Sequence, residues 1–83
     1  MTHQIEKPRI WVDFHNSDAL GRVRLNTVGT IESLNSLGLV LRRGLDATFY
    51  CFEREQDGEV AYSEEEHLWV GLLNGKSRDL HND

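Results

Sequence analysis

Along this chain apolar and polar side chains alternate in several short stretches, and the alternation predicts most of its elements. Ile10, Val12 and Phe14 alternate with Trp11, Asp13 and His15, a period of two that marks a strand with one buried face. Residues 16–21 are a turn by composition, and Val23 and Leu25 then alternate with Arg22, Arg24 and Asn26. Placing both apolar sets on one face sets Phe14 opposite Val23 and Val12 opposite Leu25, with a loop over residues 17–20. The same register faces Asp13 with Arg24 and His15 with Arg22. Opposite charges facing across a strand pair stabilise it by about 0.2–1 kcal/mol.

The period then changes. Ile31, Leu34 and Leu37 recur three apart, which predicts a short helix with Thr30 as its N-cap and Glu32 in its first turn. Gly38 is placed to end it in the left-handed conformation. A helix this short has to be held by its apolar side against a sheet. Leu39, Val40 and Leu41 return to strand character, and Arg42-Arg43-Gly44 reads as a turn in which Gly44 supplies a positive φ.

Residues 45–73 read as a three-stranded antiparallel meander. Its first turn is assigned to Gln56-Asp57-Gly58 and its second to Glu64-Glu65-Glu66. Residues 47–52 are apolar on both faces, with Phe49 and Cys51 on one and Tyr50 and Phe52 on the other, as in a covered central strand. Phe49, Phe52 and Cys51 are therefore expected in the core. Val60 and Tyr62 point inward from the next strand, and Leu68, Val70 and Leu72 lie opposite Trp69 and Leu73 on the third. Asn74-Gly75 stops the pattern. One domain is expected over residues 1–83, with an ordered core at about 9–74 and loose tails at 1–8 and 75–83.

A free sheet edge invites aggregation, and closing the sheet removes it. The predicted fold is mainly β: a small five- to six-stranded antiparallel barrel with one short helix. In strand count and size it resembles SH3-like or OB-like barrels. The alternative is an α+β fold with an open sheet and the helix on one face. Such a likeness carries no function with it.

A composition of 39% hydrophobic and 28% charged residues is that of a globular protein and excludes a disordered chain. The lone Cys51 has no partner for an intramolecular disulfide. The first ten residues lack an apolar signal core, and no apolar run approaches the ~18 residues of a membrane span. The expectation is a soluble cytoplasmic protein without membrane association. Charge is unevenly placed within the net −5. Residues 1–44 hold six Lys/Arg against four Asp/Glu, a net of +2, and residues 45–83 hold three against ten, a net of −7. An acidic chain is poorly suited to non-specific nucleic-acid binding, which depends on neutralising phosphates.

Catalytic patterns do not emerge. The four histidines show no HExxH or HxxxH spacing, the glycines form no phosphate-cradling loop, and no Gly-x-Ser-x-Gly elbow is present. No enzyme activity, metal or cofactor is expected. The candidate binding surface is Trp11, Asp13, His15, Arg22, Arg24 and Asn26, extended by Arg42 and Arg43. Trp and Arg dominate protein interfaces, and the same types form base-stacking platforms. The bland alternative packs Trp11 over the sheet and leaves the arginines as solubilising side chains. The function expected is a non-catalytic module that binds a protein partner. The alternatives are a barrel that binds RNA or single-stranded nucleic acid, and a structural subunit or self-assembling homodimer; oppositely charged ends would also allow head-to-tail self-association.

Overall fold

The computed structural model describes residues 7–80. Six strands and one helix follow in the order β1 (Arg9–Trp11), β2 (Val23–Arg24), α1 (Val28–Leu37), β3 (Asp46–Tyr50), β4 (Arg54–Ser63), β5 (Leu68–Leu72) and β6 (Ser77–Asp79). The fold is mainly β. The strands form one curled sheet, a half-barrel, in the order β1-β3-β4-β5-β2, with β6 added to β4. No hydrogen-bonded pairing joins β1 to β2, so the curl stays open there. Every pair is antiparallel except β1 with β3, which is parallel. Inside the curl lie Ile10, Val12, Val23, Leu25, Ala47, Phe49 and Val60, all buried, with Phe14, Leu34, Leu39, Leu41, Leu45, Trp69 and Leu73 packed against them. No helix among the described residues is long and apolar enough to cross a membrane.

The first hairpin differs from its predicted register. Ser17, not Phe14, bridges Val23, and the Arg24 N–H donates to the Asn16 carbonyl at 2.8 Å. The Asp18 carboxylate is the cause. It accepts the N–H groups of Leu20 and Arg22 at 3.0 and 2.8 Å and the Arg22 Nε–H at 2.8 Å, which closes a tight turn with Gly21 at φ +81°. Residues 9–11 are thereby released to pair with β3, where Ile10 sits beside Phe49.

The helix begins three residues before its predicted start. Thr27, not Thr30, is the N-cap, its Oγ1 accepting the Thr30 N–H at 3.3 Å, so Glu32 falls beyond the first turn. Thr30 is fully buried, whereas Ile31 and Leu37 are each 48% exposed. Of the three expected apolar contacts, Leu34 alone packs on the core. Gly38 ends the helix at φ 62°, as expected, with the Leu39 N–H donating to the Leu34 carbonyl at 3.0 Å. Helix and sheet meet at β1, whose outward Trp11 N–H donates to Ser33 Oγ at 3.1 Å. That bond occupies a donor on an otherwise open sheet edge.

Three further expectations are corrected. Residues 39–41 are not a strand, and Val40 is 82% exposed while its neighbours Leu39 and Leu41 face the core. Gln56-Asp57-Gly58 lies within β4, paired with Phe49, Thr48 and Ala47. The β3–β4 turn is instead at residues 51–53, closed by the Cys51 N–H donating to the Arg54 carbonyl at 2.9 Å. Gly58 serves close approach rather than a turn, since a Cβ there would lie 2.2 Å from the Leu72 carbonyl oxygen. Because the strand ends at Tyr50, Phe52 is not in the core; it is 82% exposed, and Cys51 is half-buried. The second meander turn, residues 64–67, is where the acidic run predicts it.

Residues 77–79, read as part of a loose tail, form β6 against Arg54, Glu55 and Gln56. An ion-pair cluster on the outer face of the sheet explains the attachment. Arg78 bonds both Glu55 and Asp57, Arg9 reaches Glu55 from β1, and Lys7 lies 3.5 Å from Asp57. Pro8, Gly75, Lys76 and Leu80, also read as tail, are tied to β3, β4 and the turn between them by backbone hydrogen bonds. Residues 1–6 and 81–83 of the expected tails lie outside the described residues.

Candidate functional site

The surface residues singled out by sequence fall into two separate groups. Arg22 and Arg24 turn toward the acidic turn between β4 and β5. Arg22 Nη2 lies 3.6 Å from Glu65, and Arg24 holds Glu66 through Nε and Nη2 at 2.7 and 2.8 Å. Arg43 completes the pattern, bonding Glu64 at 2.7 Å and lying over the Tyr62 ring. Each glutamate of the acidic run thus meets an arginine from the basic first half of the chain. The Arg24 guanidinium holds the Glu66 carboxyl below its ordinary range. At Asp18, burial pushes the carboxyl up, but the Arg22 and Leu20 donors outweigh it and the net shift is downward. Asn26 joins this group through Asn16, which donates to it at 3.2 Å and accepts from Arg24 at 3.1 Å. Arg42 is exposed beside Arg43.

Trp11, Asp13 and His15 belong to the other group. Trp11 is on β1, so its ring is fixed by the strand that pairs with β3 and by α1 on its flank. A Cβ at Gly29 would lie 2.7 Å from two indole carbons, so only glycine lets the helix come this close. On one side the ring lines an open cleft of about 420 Å³ with Arg9, Ser33, Leu37 and Tyr50. On the other it lines a more enclosed cleft of about 310 Å³ between residues 12–15 and the β3–β4 turn at 51–54. Phe52 stands at the rim of the second cleft, edge-to-face with Trp11 at 6.1 Å between centroids. Asp13 accepts the His15 N–H at 3.0 Å in the turn that forms the opposite wall. Arg54 lies 4.0 Å above the Phe14 ring and donates to Gln56 Oε1 at 2.9 Å.

Phe14, Phe52, Glu53 and Arg54 are therefore site residues that the sequence reading left out, while Arg22, Arg24 and Asn26 lie in the other group. One signal did mark Phe52, Glu53 and Arg54. Glu53, Glu55, Asp57 and Glu59 alternate with a period of two, which carries β4 back to residue 54 and leaves residues 51–53 for the turn. The stronger turn chemistry of Asp57-Gly58 masked it.

No protein-family model matches the chain, no curated protein matches it, and no solved structure matches it.

Proposed function

We propose that this protein is a non-catalytic binding module that recognises a protein partner at the Trp11–Phe52 cleft. The observation that carries this reading is the placement of Phe52, an aromatic ring 82% exposed at a hairpin tip beside a second, half-buried ring. An exposed ring beside a half-buried one over a formed cleft has the composition of a protein-interface anchor. Placing such a ring in water costs free energy unless something covers it. Binding of RNA or single-stranded nucleic acid ranks second, because three of the arginines it would use are already paired with Glu64, Glu65 and Glu66. Self-association is third, and size-exclusion chromatography over a range of concentrations addresses it. The lone thiol supports a reducing, cytoplasmic setting.

The test is affinity capture with the whole chain in parallel with its Phe52→Ala and Arg22→Ala/Arg24→Ala variants. A partner retained by the wild type and the arginine variant, and lost by Phe52→Ala, is the expected result. A partner lost only by the arginine variant would move the site to the Arg22/Arg24 surface.

A further inference from the structure

We infer that the corner between Trp11 and Phe52 is a cation site that takes the ammonium group of a lysine, free or methylated, from a basic segment of the partner. This deepens the binding-module reading and rests on it. Three other rings of the described surface already carry a guanidinium: Arg9 over Tyr50 at 4.6 Å, Arg43 over Tyr62 at 5.3 Å and Arg54 over Phe14 at 4.0 Å. Trp11 and Phe52 carry none among the described residues. Their planes are inclined at 69°, so two ring faces wall one corner, and ring faces attract cations through their negative quadrupole.

The carboxylates agree. Glu53 follows Phe52 on the rim, and Asp13 stands on the opposite wall. Neither makes an ion pair with a lysine or arginine among the described residues; Asp13 accepts the His15 N–H at 3.0 Å and lies 3.6 Å from the His15 imidazole. Elsewhere Glu55 and Asp57 on the sheet's outer surface and Glu64, Glu65 and Glu66 of the acidic turn each meet an arginine. Arg54 is the one basic charge in the lining. Its guanidinium lies over the Phe14 ring and donates to Gln56, so the lining carries two carboxylates against one guanidinium. A space of about 310 Å³ admits an ammonium head with its alkyl stem. Two rings inclined to each other suit a compact or quaternary ammonium, whereas a planar guanidinium is best served by stacking on a single face.

NMR titration of the whole ¹⁵N-labelled chain tests this, with the Trp11 indole N–H as the reporter. The probes are the acetyl, methylamide-capped forms of trimethyl-lysine, lysine and glutamate, together with the tert-butyl carbon isostere of trimethyl-lysine. The expected result is a saturable shift with trimethyl-lysine, at an affinity at least about three-fold above the uncharged isostere. That preference falls by a similar factor in Phe52→Ala and in Phe52→Leu, the latter keeping the apolar bulk without the ring, and is reduced in Glu53→Gln. Equal binding of the isostere, preference for glutamate or no saturable shift with any probe overturns the cation site. A partner still captured through Phe52 under those outcomes leaves the binding module standing. Loss of that capture overturns the module itself.

Discussion

Phe49 and Phe52 are three residues apart and meet opposite fates. Phe49 points into the curl and is fully buried; Phe52 is past the end of β3 and faces solvent. Phe49→Ala is expected to cost about 3–5 kcal/mol in a urea titration, as removal of a buried ring does. Phe52→Ala is expected to shift the same curve by less than about 0.5 kcal/mol. Equal effects would mean that the hairpin tip packs differently. Gly58 and Gly71 carry a second residue-scale prediction. Any Cβ at Gly58 meets the Leu72 backbone at 2.2 Å, and at Gly71 it meets Phe49 and Val23 at 2.9 Å. Neither position can absorb alanine without moving the sheet or the core. Gly58→Ala is expected to lower the melting temperature more than Gly44→Ala, where strain from φ +82° is the sole penalty and no atom lies within 4 Å. Equal losses at the two positions would count against the close approach of β4 and β5.

Among the elements, β6 and β1 are short strands held by side chains as well as by their ladders. Each is three residues long, and the cluster of Arg9, Arg78, Glu55 and Asp57 ties both to β4. The Arg78 guanidinium and the Thr48 hydroxyl, which donates to Asp57 Oδ1 at 3.0 Å, lower the Asp57 carboxyl from 3.8 to about 2. Arg9 and Arg78 lower Glu55 from its ordinary 4.5. A carboxyl whose folded value lies below its unfolded one adds stability in full above the unfolded value, and that contribution is lost as pH falls through the folded value. Stability is therefore expected to hold above pH 4.5 and to decline from there toward about pH 2. Asp57→Asn is expected to make that decline shallower in urea titrations at stepped pH. An unchanged slope would show that the cluster does not couple to folding. Arg78→Ala is expected to raise amide exchange at residues 77–79 ahead of the rest of the sheet; uniform exchange would contradict this.

For the molecule as a whole, the separation of charge along the chain is resolved by folding it back on itself. The excess of bases in the first half supplies Arg22, Arg24 and Arg43, and the excess of acids in the second supplies Glu65, Glu66 and Glu64. These pairs are largely at the surface, where each contributes little stability, but they consume the charge that a nucleic acid would need. The wild-type chain is accordingly expected not to retard a single-stranded oligonucleotide in a low-salt gel. Replacing Glu64, Glu65 and Glu66 by Gln is expected to produce weak, salt-sensitive retardation. A wild-type shift would restore the nucleic-acid reading.

The amino-acid sequence by itself determined the mainly β character, the buried alternation of Ile10, Val12, Val23, Phe49 and Val60, the C-terminal end of the helix at Gly38 and the acidic turn. Each follows from the local period or from a backbone conformation that one residue type favours. Tertiary structure alone decided the parallel pairing of β1 with β3, the capture of β6, the register around Asp18 and the meeting of Trp11 with Phe52. Those depend on which strands and charges meet across tens of residues. A period of two names the buried face of a strand but not its neighbour.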